Sequence, residues 1–288
     1  MLILTKHIGQ LCNQIWSLLP IISYVEHMHS VVCVLNARSD YFCSFPALRK
    51  YRRILWVHLQ KNESGRLWRK ITRLIEKYVK PFEGALETNA NARLRVINGW
   101  EHNHDKSFIG EQKQTIRKLF TPRREIQKKI KDALSHFDGI TVGVHMRRGD
   151  YKEWCGGLYY YTDEDYINVM QMLAAEAKKR NIAIRFLICS NEPFEVFQTE
   201  LLLFQIPHTD GITDLYGLAC CNYIVGPPST YSQWASFYGE VPLCFILSPH
   251  QKILFEDFSP IVTLDTFLNG NQLEMDEKSQ QFYLKKGV

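Results

Sequence analysis

Hydrophobic and polar positions alternate along this chain in a pattern that predicts strands and helices in turn, most regularly in the second half. Short apolar runs of the length of buried strands are separated by longer segments with apolar residues at helical spacing. Strands that alternate with helices predict a parallel β-sheet covered on both faces, which is the α/β class. The expected strands are 140–146, 184–189, 223–225 and 242–247, and the expected helices are 163–180, 214–221 and 231–238.

The first half follows the same logic with weaker signals, and a turn separates it from the second half. We expect strands over 2–4, 31–35, 54–59 and 94–97, and helices over about 14–27, 66–78 and 123–137. The turn signal Asp138-Gly139 places a domain boundary near residue 138. The predicted organisation is an N-terminal α/β domain (1–138), a C-terminal α/β domain (139–263) and a polar tail (264–288). The tail is expected to be helical and to pack back on the N-terminal domain.

Composition excludes disordered and fibrous classes and favours a reducing compartment. The 288 residues are 45% hydrophobic and 23% charged, which is typical of a globular protein that forms two cores. The eight cysteines are scattered without a C-x-x-C pair, so we expect free thiols rather than disulfides or zinc. The N-terminus lacks signal-peptide features, and the longest apolar run, 15–25, is too short to span a bilayer. These features predict a cytoplasmic protein.

Residues 49–80 form a stretch that is much more basic than the chain as a whole. It holds eleven Lys or Arg residues against two Glu, a local net charge of +9, although the whole chain carries only +5. Its apolar residues fall at helical spacing: Leu67, Ile71, Leu74, Ile75 and Tyr78. The pattern favours an ordinary surface helix whose apolar stripe packs on the core over peripheral contact with an anionic membrane at the inner face. Nucleic-acid binding is disfavoured because the apolar residues form one stripe.

Three predicted strands of the second half end in polar side chains suited to a ligand. Carboxyl ends of parallel strands meet at one edge of a sheet, where α/β proteins bind ligands. Guanidinium forks match phosphate oxygens, and a helix N-terminus binds anions, so the pattern predicts a diphosphate site without a metal ion. The side chains are His145, Arg147 and Arg148; Ser190, Asn191 and Glu192; and Ser229 and Thr230.

Each group also has a simpler structural explanation. The arginines could pair with Asp150 and Asp214, and Ser229-Thr230 could only cap a helix. The joint occurrence at successive strand ends favours the ligand site. Asp163-Glu164-Asp165 resembles a metal-binding D-x-D, but it follows Thr162 at a helix start and is better interpreted as a charged first turn. For 102–105, which contains two His and an Asp, a polar surface loop is favoured over a metal cluster.

Together these residues resemble a known family. The segment His145-x-Arg147-Arg148-Gly149-Asp150-Tyr151 is similar to the first signature of the α1,2-fucosyltransferases of glycosyltransferase family eleven, within a superfamily that includes α1,6- and protein O-fucosyltransferases. Further similar motifs follow the family's order: Gly9-x-x-x-Asn13-Gln14, Ile97-Asn98-Gly99-Trp100, Ile116-Arg117 through Pro122, Ser190-Asn191-Glu192, Asp214 through Cys221, and Ser229-Thr230-Tyr231-Ser232-x-Trp234.

The resemblance implies a GT-B-like α/β fold, with two Rossmann-like domains of mainly parallel sheets facing across a cleft and GDP-fucose bound in the C-terminal domain. Arg147 is then expected at the β-phosphate, Ser229 and Thr230 at the diphosphate, and His145 and Asp214 at the guanine side. Arg148 is expected to act structurally, near the donor. The other donor-binding candidates are Ser190, Asn191, Glu192 and Tyr231, and the catalytic candidates are Arg147, Asp150, Glu153 and Asn13.

The implied reaction is an inverting, metal-independent transfer of fucose to a glycan hydroxyl, with α1,2 linkage. The acceptor is an oligosaccharide or a lipid-linked glycan, no cofactor is expected, and no nucleic-acid partner is expected. Two alternatives stay open: a transferase of the same fold that uses another nucleotide sugar, and a sugar-nucleotide-binding relative without turnover. The second is suggested by Cys12 in place of a usual glycine, and by Asn191 and Glu192 in place of two aspartates.

Overall fold

The computed structural model describes residues 2–6, 9–35, 43–57, 63–78, 95–98, 107–194 and 199–287. The chain divides into two compact units, Met1–Arg123 and Arg124–Val288. Each unit contains one parallel β-sheet with helices around it. The alternation of strands and helices predicted from the sequence is therefore confirmed.

The first unit is built on a four-stranded parallel sheet in the order β3-β2-β1-β4. Its strands are β1 (Leu2–Lys6), β2 (Val32–Leu35), β3 (Ile54–Val57) and β4 (Arg95–Asn98). Its helices are α1 (Leu11–His27), α2 (Pro46–Arg49), α3 (Glu63–Tyr78), α4 (Ser107–Glu111) and α5 (Lys113–Leu119). Helix α1 is apolar on nearly all sides, and fourteen of its residues are buried, so it forms the centre of this core.

The second unit is built on a five-stranded parallel sheet in the order β7-β6-β5-β8-β9. Its strands are β5 (Ile140–Met146), β6 (Ile184–Ser190), β7 (Leu203–Phe204), β8 (Tyr223–Gly226) and β9 (Leu243–Phe245). Its helices are α6 (Arg124–Leu134), α7 (Asp163–Lys179), α8 (Gly211–Leu218) and α9 (Thr230–Gly239), with single 3-10 turns at Gly149–Lys152 and Trp154–Gly157.

The central strand β5 shows why this sheet is buried on both faces. Val142 and Val144 are fully buried in one apolar cluster with residues of α7. A Cβ on the intervening Gly143 would meet Leu218 of α8, so the other face of the strand lies against α8. Successive side chains of a strand point to opposite faces, which explains the continuous apolar run that the sequence shows here.

The boundary between the units lies before α6, whereas the sequence predicts it near residue 138. Helix α6 buries Ile126 and Ile130 and contacts α8, so it belongs to the second unit. The turn at Asp138-Gly139 joins α6 to β5 inside that unit. A strong turn signal marks the end of an element, and packing decides which core that element joins.

The C-terminal tail differs from the predicted helix. It forms β11 (Thr266–Phe267), β12 (Gln272–Met275) and β13 (Phe282–Lys285), which complete an antiparallel sheet with the preceding strand β10 (Ile261–Thr263). Exposed and less exposed side chains alternate along β13, which is the period of a strand. The backbone N–H of Phe282 donates to Tyr159 Oη at 2.6 Å, and its ring packs on Trp154 and Tyr159, so the tail is held by the second unit.

Helix α3 exposes much of its apolar stripe, which we expected from the sequence to pack on the core. Leu67, Leu74 and Tyr78 are 60%, 54% and 70% exposed, so the expectation of core packing is wrong for these three residues. Ile71 and Ile75 on the same stripe are half-buried. Hydrophobic periodicity predicts the helix correctly, but it does not identify what the apolar face contacts. No helix within the described residues has the length and apolar content needed to cross a membrane.

Candidate functional site

The strand order of the second unit defines one place for a ligand. The chain runs outward from β5 to β6 and β7, then returns to the other side of β5 to form β8 and β9. The connections therefore leave β5 and β8 in opposite directions, and this reversal opens a crevice at their carboxyl ends. The segments that follow these strands are 147–151 and 227–230, so the structure places two of the three predicted strand ends at this point.

Direct contacts join the two segments across the crevice. The hydroxyl of Tyr151 donates to the carbonyl oxygen of Pro228 at 2.6 Å. The rings of His145 and Tyr231 stack with centroids 4.8 Å apart and planes 27° apart. A Cβ on Gly226 would lie 2.5 Å from the carbonyl oxygen of His145, so only glycine allows the strand ends to approach this closely. The end of β5 and the start of α9 therefore form one local structure.

Arg147 supplies the positive charge of this structure. Its side chain is 18% exposed, and Nη2 lies 2.8 Å from Oδ2 of Asp150, whose side chain is 57% exposed. Its Cζ lies 5.6 Å from the centre of the Tyr151 ring. An ion pair with a well-exposed carboxylate contributes little free energy, since water competes for both groups. An anionic ligand can therefore replace Asp150 at the guanidinium at small cost.

Arg148 points to a different partner. Its side chain is buried and forms an ion pair with Asp163 in the first turn of α7. This pairing fits the structural role expected for Arg148. It also gives Asp163 a function that sequence reasoning missed, because only its helix position was considered. Thr162 and Asp165 form a reciprocal capping box, so the charged-first-turn interpretation of 163–165 is confirmed.

The end of β6 shapes the turn that carries the arginines. Asn191 Oδ1 accepts the backbone N–H of Arg148 at 2.8 Å, and Glu192 Oε1 accepts the backbone N–H of Gly149 at 3.1 Å. Gly149 has a φ of +62°, a conformation in which glycine avoids the strain of a side chain. Ser190 closes its own turn by donating to the carbonyl of Glu192 at 2.7 Å. Asn191 and Glu192, two of the predicted donor-binding residues, thus hold the backbone of residues 148–149.

His145 is a neutral, buried imidazole. Burial is the main cause that lowers its pKa to about 3, and the adjacent Arg147 charge lowers it further. Its Nδ1 is buried and has no hydrogen-bond partner among the residues that the structure describes. A buried nitrogen of this kind is normally satisfied by protein, water or ligand.

The helices α8 and α9 bring further polar groups to this edge. Ser229 is the N-cap of α9 and accepts the N–H of Tyr231 at 3.2 Å, and Tyr231 Oη donates to the carbonyl of Gly211 at 2.6 Å. Thr230 is the first residue of α9. Asp214 of α8 accepts from the Thr209 hydroxyl at 2.6 Å, and burial raises its pKa to about 6. The alternative in which the arginines pair with Asp214 is not seen, since Arg147 pairs with Asp150 and Arg148 with Asp163.

The remaining catalytic candidates lie in two separate places. Glu153 is exposed between the two 3-10 turns that follow β5, near Asp150 in sequence. Asn13 lies in the first turn of α1, in the first unit, beside Gly9 with a φ of +71°. A Cβ on Gly9 would lie 2.1 Å from Asn13 Nδ2, so the Gly-x-x-x-Asn spacing fixes a tight turn that carries this amide.

Within the described residues, no group of three His, Cys, Asp or Glu side chains comes together as a metal ligand set. All eight cysteines are described and are free thiols. The candidate loop 102–105 lies outside the described residues, as do Gly99 and Trp100 of the 97–100 motif. Sequence reasoning also missed Tyr151 and Gly226 as site residues, although Tyr151 ends the motif that begins at His145 and Gly226 directly follows the predicted strand 223–225.

Comparison with known proteins identifies the fold. No protein-family model matches the chain, and no curated protein matches its sequence. Among solved structures, a mutant of Arabidopsis thaliana FUT1 in complex with GDP matches with a TM-score of 0.55 and 12% identity, over 99% of this chain and 82% of that one. POFUT1 in complex with GDP matches with a TM-score of 0.54 and 10% identity, over 85% of this chain and 98% of that one.

Each unit is a parallel α/β structure of the Rossmann-like type, and the chain as a whole matches the GT-B-like fold of these structures. The fold class expected from the sequence is therefore confirmed. A third structure, NodZ alpha-1,6-fucosyltransferase soaked with GDP-fucose, matches over the whole chain at 13% identity with a TM-score of 0.48. At 10% and 12% identity, the likeness to POFUT1 and FUT1 establishes the fold alone, and the chemistry of this chain has to be argued from its own residues.

Proposed function

We propose that the second unit binds GDP-fucose and that the protein transfers fucose to a hydroxyl group of a glycan. One observation carries the proposal: Arg147 and the N-terminus of α9 flank the strand-order reversal, and Tyr151 links their segments through Pro228. A guanidinium and a helix N-terminus at one crevice suit a diphosphate. The structural likeness to fucosyltransferases, two of them in complex with GDP, supports this donor class.

Each part of GDP-fucose can be assigned to particular protein groups at this crevice. The guanidinium of Arg147 donates to the β-phosphate, and Thr230 with the first N–H groups of α9 binds the diphosphate. The unsatisfied nitrogen of His145 and the carboxylate of Asp214 serve the guanosine side. Guanine presents N–H donors on its base-pairing edge, and a buried carboxylate is a strong acceptor for them.

The proposed chemistry is an inverting displacement at the anomeric carbon of fucose, without a metal ion. The bond from that carbon to the β-phosphate oxygen breaks, its electron pair leaves with GDP, and the acceptor oxygen bonds to the carbon. Negative charge on GDP grows toward the transition state, where Arg147 and α9 stabilise it most. The acceptor hydroxyl proton passes to a base, for which the exposed carboxylates Asp150 and Glu153 are the candidates.

The acceptor side is assigned to Asn13. Its amide is a neutral donor and acceptor held by the Gly9 turn, and such a group suits a sugar hydroxyl. The resemblance of the sequence motifs to family eleven favours an α1,2 linkage to an oligosaccharide or a lipid-linked glycan.

Titration calorimetry with GDP tests the donor site. Arg147→Ala is expected to weaken GDP binding on the order of 100-fold, because it removes charged hydrogen bonds to phosphate. Arg180→Ala is the matched control, since Arg180 is also an arginine of the second unit paired with a carboxylate, Glu176. Equal GDP affinity in wild type and Arg147→Ala contradicts the proposal.

Competition among nucleotides separates the proposed donor from other nucleotide sugars. GDP-fucose is expected to displace bound GDP, whereas UDP- and ADP-sugars are expected to fail because they lack the guanine edge. Transfer of labelled fucose to a glycan mixture then separates an enzyme from a binding relative. Tight GDP-fucose binding without any transfer identifies the second alternative.

A further inference from the structure

We propose that helix α3 is a docking surface for an anionic lipid bilayer, a property that goes beyond the proposed transfer reaction. The argument rests on the exposed apolar stripe of α3, formed by Leu67, Leu74 and Tyr78, and on the cations beside it. Both features belong to described residues of the first unit.

The apolar stripe has the geometry of a surface for insertion into lipid. Its three residues are spaced by seven and four positions, so they lie on one side of the helix. Each is more than half exposed, and together they extend over about 17 Å of the helix. Leucine and tyrosine are suited to the boundary between headgroups and acyl chains, where an apolar body and a polar tip are both accommodated.

The charge beside the stripe selects an anionic partner. Lys70, Arg73 and Lys77 are exposed and lie on one flank of the stripe, which we call the basic flank. Arg49, Lys50 and Arg52 are exposed earlier in the same basic segment. A helix with a basic face next to an apolar face is the pattern of interfacial helices that bind anionic lipids.

A second amphipathic helix of the chain provides an internal reference. Helix α6 also carries exposed cations, Arg124, Lys128 and Lys131, but it buries its apolar residues Ile126 and Ile130. The cations of α6 therefore have no exposed apolar stripe beside them. The combination of charge and exposed apolar surface distinguishes α3 from α6.

The same features argue against other occupants. A nucleic acid would use the cations but would leave Leu67 and Leu74 in water. A second copy of the chain docking α3 on α3 would bring two basic flanks together, which costs free energy by like-charge repulsion. A bilayer with anionic headgroups is favoured because it satisfies both faces of the helix.

Vesicle co-sedimentation of the full-length protein tests the proposal. Wild type is expected to bind vesicles of phosphatidylcholine mixed with phosphatidylglycerol, and to bind pure phosphatidylcholine vesicles much more weakly. The triple variant Lys70→Gln, Arg73→Gln, Lys77→Gln is expected to lower partitioning on the order of 100-fold. The triple variant Leu67→Gln, Leu74→Gln, Tyr78→Gln is expected to lower it by about tenfold or more.

The control variant makes the same charge change on α6: Arg124→Gln, Lys128→Gln, Lys131→Gln. It is expected to retain most of the vesicle binding, and a loss equal to that of the α3 charge variant overturns the proposal. Hydrogen exchange on the unmodified protein adds a readout that does not depend on variant folding. Addition of anionic vesicles is expected to slow exchange in α3 and not in α6, and unchanged exchange in α3 overturns the proposal.

Two further results assign the surface to another partner. Binding of a labelled oligonucleotide that the α3 charge variant abolishes, without vesicle binding, overturns the proposal in favour of nucleic acid. Self-association that the α3 apolar variant abolishes, without vesicle binding, overturns it in favour of a second copy.

Discussion

The parallel sheets of the two units share a strand order, but they carry different kinds of side chain at the ends of their strands. In each, the first strand in sequence has the second on one side and the fourth on the other, as in β3-β2-β1-β4 and β6-β5-β8. His145 lies near the end of β5 and two arginines follow that strand, whereas Gly9 and the amide of Asn13 follow β1. The comparison teaches that one strand order can carry different chemistry, and that the side chains at the strand ends decide which ligand groups a crevice there can bind.

The largest expected effect is on the rate of fucose transfer when Arg147 is replaced by lysine. Arg147→Lys keeps the positive charge but loses the fork that donates two parallel hydrogen bonds. We expect the rate of fucose transfer to fall on the order of 100-fold, measured at saturating GDP-fucose. Wild-type turnover in Arg147→Lys would contradict this, because it would show that a positive charge alone, without the paired hydrogen bonds, is enough for catalysis.

The next effect comes from forcing the strand ends of the second unit apart. In Gly226→Ala the new Cβ would lie 2.5 Å from the carbonyl oxygen of His145. Overpacking of this kind is expected to lower the free energy of unfolding by about 2 kcal/mol and to weaken GDP binding. Gly211→Ala is the control because a Cβ there meets no atom within 4 Å. Denaturant unfolding measures both variants, and equal stabilities would contradict the close approach.

The third effect is a pH dependence of the free energy of unfolding that arises from Asp214. The amide of Asn13 in the first unit does not titrate and contributes no such dependence. Burial raises the Asp214 pKa from 3.8 to about 6 in the folded protein, so the folded state holds this proton more tightly than the unfolded chain. The stabilisation from Asp214 is therefore complete below 3.8 and is lost as the pH rises through about 6. Thermal unfolding over this range is expected to show the loss in wild type and not in Asp214→Asn.

Asp214 also predicts an opposite trend in ligand binding. The carboxylate, not the protonated acid, accepts guanine N–H groups, so GDP affinity is expected to rise with pH through about 6. Each pH unit below that value lowers affinity by about tenfold. Calorimetry across the range checks this, and the same slope in Asp214→Asn would remove Asp214 from the guanine site.

The smallest expected effect separates the acceptor side from the donor side. Asn13→Ala removes one amide, worth about one hydrogen bond, so transfer is expected to fall about fivefold. GDP affinity is expected to stay at the wild-type value, because Asn13 belongs to the first unit. A loss of GDP affinity as large as that of Arg147→Ala would contradict the division of roles between the units.

Sequence patterns predicted the parallel sheets because buried parallel strands are continuous apolar runs, as at Val142 and Val144. They missed the antiparallel tail, whose strands are short and polar on one side, and they misjudged α3, since periodicity does not reveal what covers an apolar stripe. The charged strand ends were visible in the sequence. The bonds between them were not, because Tyr151 with Pro228 and Asn191 with Arg148 meet only once strand register is set.

The hydrogen bond from Tyr151 to Pro228 has a consequence for how fast a nucleotide binds. Burial raises the pKa of this phenol far above the neutral range, so its O–H remains a donor in all ordinary buffers. The two loops that it ties are already in place before any ligand arrives, and little ordering entropy is left to lose on association. Stopped-flow traces with GDP should then be single-exponential, with a rate constant that rises linearly with nucleotide concentration and falls with added salt.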